Sequence, residues 1–267
     1  MNVRKSLFIF EKDWKEIYKN KEILLPVIIL PLLFAILFPI ILLVIMLNIP
    51  ADEMTNGLDM VLGIFPSFEG EDAGLKMSLW FGVNLMMKPM FLFVPMVVTM
   101  VVAGDSFAGE KERKTIESLL ILPISDKELI LGKVFSAFIP GIIATWVSFG
   151  VFQLIVGFFT FEVFGYFIIG LDWYLLVFLF APLFSIFSII LMIINSSRAK
   201  DAKSAQNISV IIIFPIIALF FTQMTSVFIL NDMNILILSG VMALLDLLMI
   251  YLGGKQLNRD RLISRIS

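Results

Sequence analysis

The sequence predicts an all-α polytopic membrane protein with six transmembrane helices, both termini in the cytoplasm and an amphipathic interfacial helix at the N-terminus. Three observations lead there. Hydrophobic residues make up 60% of the 267 residues and mean hydropathy is +1.00, a load that a soluble surface could not carry without large exposed apolar patches. Six apolar runs stand out, near Ile23–Ile49, Leu79–Ala103, Val134–Phe161, Trp173–Ile194, Ile208–Leu230 and Ile235–Leu252. Each is close to the roughly 20 residues that a helix needs to cross the hydrocarbon core. Finally, all but Lys76 and Lys88 of the 20 Lys and Arg residues fall in the N-terminal segment, the second-to-third connection, the fourth-to-fifth connection or the tail. Basic residues are retained in the cytoplasm, so these segments and both termini are expected there.

Composition also excludes. The chain has no Cys and no His, which removes disulfides, thiolate catalysis, Cys/His zinc sites, a histidine base and a His-Glu-x-x-His protease. Net charge is −2, so nothing points to a nucleic-acid partner. The charged first 22 residues, and the long apolar run after them without a small-residue cleavage site, do not read as a cleavable signal.

Taken in order, residues 1–22 form the interfacial helix. Val3, Leu7, Phe10, Trp14 and Ile17 recur at three- and four-residue steps with charges between them. Trp14 and Tyr18 suit a water–lipid boundary, so this helix is expected to anchor the chain at membrane lipid and to make some contact with a cytosolic subunit. Residues 23–254 form the six-span domain. The first outer loop, Pro50–Ser78, is acidic and too short for a domain of its own. In the second span Lys88 lies 16 residues before Gly104, about 24 Å along a helix, and is expected to snorkel to the outer interface. Pro89, Pro95, Pro140 and Pro215 are expected to kink their spans.

The charged cytoplasmic segment 105–133 is the largest place for a cytosolic partner. Glu110 and Lys114 stand four apart in the order that favours a helix. Ile116, Leu119 and Leu120 give it an apolar face, Pro123 ends it, and Ser125-Asp126-Lys127-Glu128 is a capping box that starts the helix of the third span. Gly104 and Gly109 are spaced like the opening of a phosphate-binding loop, but Glu110 occupies the place of the required lysine and would repel phosphate. The chain is therefore not expected to bind ATP there. In the fifth span Thr222, Gln223 and Thr225, and in the sixth Asp246, are candidates for a transport path. A carboxylate in a span costs about 2.5–3.5 kcal/mol on insertion scales and should face protein or water. Asp246 suits either a path or ion-coupling role, or an interhelical hydrogen bond or a pair with the basic tail, residues 255–267; the second is preferred. Helix–helix hydrogen bonding is likewise preferred for the three residues of the fifth span.

The run Ala108-Gly109-Glu110-Lys111-Glu112-Arg113-Lys114-Thr115-Ile116-Glu117, followed by Leu119-Leu120, Pro123-Ile124-Ser125 and Leu129 with Gly132-Lys133, resembles the signature of ATP-binding-cassette (ABC) type-2 permeases. There the pattern is Gly-Glu-Lys-Glu-Arg-Gly-Thr-hydrophobic-Glu, Leu-Leu, Pro-hydrophobic-Ser and Leu-x-x-Gly-Lys, between the second and third of six spans. Lys114 replaces the usual small residue. The motif covers about a tenth of the chain, and the six-span layout extends the likeness along its length. The resemblance implies the permease subunit of a multi-pass cell-membrane exporter, not itself an enzyme. Its ATPase would be a separate cytosolic subunit holding ATP and magnesium, in two copies, around two permease chains, identical or related. Glu110, Lys111, Glu112, Arg113, Lys114, Thr115 and Glu117 would supply polar contacts to that ATPase, and Ile116, Leu119 and Leu120 apolar ones. The chain itself would bind no cofactor or metal. The alternatives are an ion-coupled secondary transporter using Asp246, a membrane enzyme, for which one Asp without His or Cys is a poor set, and a non-transporting scaffold.

Overall fold

The computed structural model describes residues 3–48, 68, 70, 72–109, 125–196, 204, 207, 210–225 and 227–254. Among them there are helices and connections and no strand. We number the main helices α1 Val3–Lys19, α2 Lys21–Asn48, α3 Ala73–Gly109, α4 Asp126–Phe164, α5 Leu171–Ser196, α6 Ile213–Met224 and α7 Asp232–Gly254.

Five of these, α2, α3, α4, α5 and α7, are long and apolar enough to cross a membrane. Just upstream of the fifth apolar run, residues 204 and 207 are also helical. Its helix α6 has 12 residues after a single 3₁₀ turn, Val210–Ile212, and 12 residues rise only about 18 Å. It stops where hydroxyls compete for the backbone: the Thr225 Oγ1 donates to the carbonyls of Phe221 at 3.0 Å and Thr222 at 3.3 Å, satisfying last-turn acceptors without further helix. Asn231 then opens α7, its Oδ1 accepting from the Asn234 amide at 2.9 Å.

The central helix is α3. Of its most apolar stretch 72% is buried, against 28% for α2 and 22% for α7. It packs on α2, α4 and α5, and small residues let the backbones approach. A Cβ on Gly82 would lie 2.5 Å from Leu42 Cδ2, and one on Gly141 would collide with Thr99. Beside the first turn of α5, Phe91, Phe149, Phe152 and Trp173 join α3, α4 and α5, the closest ring centroids being 4.7 Å apart.

Helix α4 begins as the spacing predicts: the Glu128 amide donates to Ser125 Oγ at 3.4 Å and the Ser125 amide to Glu128 Oε2 at 3.1 Å. It continues α-helical through Pro140 and ends at Gly165, whose φ of 71° no side-chain-bearing residue adopts easily. The chain then doubles back, and Phe167 lies over Gly157, where a Cβ would meet the ring at 2.7 Å. Helix α3 is less regular. It is π-helical over Gly82–Met87, α-helical over Lys88–Phe91, turns at Leu92 and resumes at Phe93.

Helix α1 buries Ser6, Ile9, Asp13 and Ile17 against the bundle, whereas Leu7 and Tyr18 are exposed and Phe10 and Trp14 half-buried; among the buried four, Ile17 belongs to the predicted stripe. One expectation needs correcting: Lys88 does not snorkel to water. It is 2% exposed, because an acceptor set stands beside it inside the bundle.

Candidate functional site

The last turn of α3, the first turns of α4 and one face of α1 meet in a buried polar cluster. The last turn of α3, Asp105–Gly109, is π-helical and contributes Ser106. Helix α1 contributes Ser6 and Asp13, spaced seven apart and so on one face. Helix α4 contributes Glu128 and Lys133. The Ser106 hydroxyl donates to Asp13 Oδ2 at 2.7 Å. The Lys133 ammonium donates to the Ser106 carbonyl and, at 3.4 Å, to its hydroxyl oxygen, and stands 5.2 Å from the centroid of the Phe107 ring. Ser6 Oγ donates to the Glu128 carbonyl at 3.0 Å. Lys12 Nζ lies 3.7 Å from Asp13 Oδ1. Asp13, Ser106 and Lys133 are all buried, and an anion and a cation sharing one hydroxyl offset each other's desolvation. Gly132 permits the docking: a Cβ there would lie 2.8 Å from Ile9 Cβ and 2.8 Å from the Ser6 carbonyl. The two helices that enter and leave residues 110–124 are thus bonded to each other and to α1.

The expected contact residues themselves, Glu110 to Glu117 with Leu119 and Leu120, lie outside the described residues. The four path candidates do not converge. Thr222 donates to the Leu219 carbonyl at 3.1 Å and Thr225 bonds within its own helix end. Gln223 is buried and links neighbouring elements: with its amide oriented to satisfy both sides, the nitrogen donates to the Leu85 carbonyl at 2.9 Å and the oxygen accepts from the Leu230 amide at 3.3 Å. Asp246 lies 14 residues along α7 from Asp232, about 21 Å away from that end of the bundle. It shares the buried face of α7 with Ile235, Ser239 and Met242, and α7 packs chiefly on α5. Its carboxylate has no hydrogen-bond partner among the described residues.

Sequence reasoning missed a second cluster at the end of the bundle away from residues 110–124. Lys88 of α3 forms an ion pair with Asp172 of α5 and donates to the Leu230 carbonyl at 3.1 Å. Asp172 is set by its own helix start, its Oδ1 accepting from the Trp173 amide at 2.9 Å, where the helix dipole favours a carboxylate. The available signal was two lone opposite charges on different spans. It also missed Asp13, Ser106 and Lys133 as a group; Asp13 falls in step with Ser6, Ile9 and Ile17, but a carboxylate is not read as a packing residue.

A family model described as ABC-2 family transporter protein matches residues 7–252 of the sequence. No curated protein matches it.

Proposed function

Because the chain belongs to the ABC-2 transporter family, it is the membrane component of an ABC transporter, and we propose that it is the permease subunit of an exporter driven by a separate cytosolic ATPase. In this reading α6, with the residues around it, makes a sixth crossing, both termini are cytoplasmic, and α1 lies in the interface with Leu7, Trp14 and Tyr18 toward lipid. Segment 105–133 docks the ATPase through Glu110–Glu117, Leu119 and Leu120. Two permease chains and two ATPases form the complex, and ATP and magnesium bind the ATPase.

The observation that carries the reading is the bonded junction of α1, α3 and α4. A partner that pushes on residues 110–124 pushes on stems that are already joined, so its movement passes into α3 and α4 instead of being absorbed by a loose loop. Transport then follows from differential binding: the ATP-closed ATPases favour one arrangement of the stems over another. The test is a mild-detergent pull-down of the chain from its native cells, with crosslinking before lysis. A stoichiometric ATPase is expected. In the captured complex, Glu110→Lys with Arg113→Glu should lower transport-linked ATPase activity while the protein stays folded; unchanged coupling would refute the docking role.

A second reading is favoured by one observation, the buried carboxylate of Asp246. An ion-coupled carrier would use it, would need no ATPase, and would lose all transport in Asp246→Asn.

A further inference from the structure

The Lys88–Asp172 pair carries an inference beyond the ATPase-facing site, resting on the reading of the chain as a transporter. It stands at the far end of the bundle, 18 residues along α3 from Ser106, about 27 Å. It joins three elements that have no covalent reason to stay together. Lys88 belongs to α3, Asp172 to the first turn of α5, and the Leu230 carbonyl to the connection between α6 and α7. Gln223 adds a second tie there, between Leu85 and Leu230.

The backbone around the pair is irregular on both sides. Lys88 follows the π-helical stretch Gly82–Met87 and precedes Pro89, the turn at Leu92 and Pro95. Asp172 precedes the π-helical stretch Leu176–Phe180. Missing or shifted i→i−4 hydrogen bonds are where a helix bends at low cost. The two partners also differ in exposure. Lys88 is 2% exposed, whereas the Asp172 side chain keeps 19% of its surface accessible. A charge parted from its partner is not tolerated in an apolar interior, so the pair is either closed or its ammonium follows the carboxylate to water along its four-carbon stem. Gly170 makes room for the closed form, since a Cβ there would crowd Asp172 Oδ1 at 3.0 Å.

We infer that Lys88 and Asp172 form a latch that holds the middle of α3, the first turn of α5 and the α6–α7 connection together, and that the latch parts when the transporter opens at that end of α5. Lys88 is a positioning residue in this role and touches no substrate.

The absence of cysteine allows the test on the whole chain. Leu47 and Leu171 are exposed near the far ends of α2 and α5, and α2 packs closely on α3 at Gly82. Both are replaced by Cys, spin-labelled, and their distance distribution is measured in lipid nanodiscs. The unmodified pair is expected to give one dominant short distance. Lys88→Ala with Asp172→Ala, which removes both charges and the side chains that span the gap, is expected to turn a longer distance into a major population. A folded double-alanine variant with the original distribution overturns the latch. Should the double variant not accumulate, Asp172→Asn takes its place with the same two readings. The measurement needs neither ATPase nor substrate. A failed pull-down therefore leaves the latch standing, while unchanged distances overturn it even if the ATPase is captured.

Discussion

Ser106 is one hydroxyl placed between a carboxylate and an ammonium, and its loss would be felt by both. In Ser106→Ala the Asp13 carboxylate loses its donor and Lys133 one acceptor, so the bundle should be destabilised by about 1–3 kcal/mol, measured as a lower thermal unfolding midpoint in detergent. Faster amide exchange in α1 than in α5 would localise the effect. Asp13→Leu removes the acceptor of the Ser106 hydroxyl and the carboxylate beside Lys12 and should likewise cost about 1–3 kcal/mol. Asp246 is the opposite case. Its carboxylate has no hydrogen-bond partner among the described residues, so Asp246→Asn should unfold at the same temperature or higher and should keep substantial transport in reconstituted vesicles. Complete loss of transport with normal folding would favour the ion-coupled reading.

At the level of the helix, close approach depends on what is missing. Gly132→Leu would drive a side chain into Ile9 and the Ser6 carbonyl and should lift α1 from α4 at a cost of about 1–3 kcal/mol, seen as new protease sensitivity in residues 3–19 while α5 stays protected. Much of this level was legible in the sequence. The capping box of Ser125 and Glu128 marked the start of α4, and the period of α1 marked a helix. The polar contacts of α1 were not legible: Ser6 and Asp13 bond to helix ends 122 and 93 residues away in sequence. The inward turn of Lys88 was hidden for a related reason: snorkelling is the outcome for an isolated charge, and its partner lies 84 residues away in sequence. The C-terminal end of α6 was hidden because an apolar run reports composition, not where Thr225 diverts the hydrogen bonds.

For the molecule as a whole, the membrane class and the family were legible: hydropathy gave the first and the run from Ala108 to Lys133 the second. The assembly of the site was not, since it depends on helix ends meeting in space. The proposed orientation predicts that a membrane-impermeant maleimide will label Tyr166→Cys in intact cells, whereas Glu11→Cys will label only after permeabilisation; the reverse pattern would invert the chain. One geometric contrast bears on how motion would spread. Helix α4 is a single 39-residue α-helix, about 58 Å long, while its neighbour α3 is jointed at two π-helical stretches and a turn. A stiff rod beside an articulated one behaves as a lever beside a chain of links. A tilt of about 5° would displace one end of α4 relative to the other by about 5 Å, whereas α3 would take up the same impulse at its joints, so that a stroke delivered equally to both stems arrives at the far side as a shear between them.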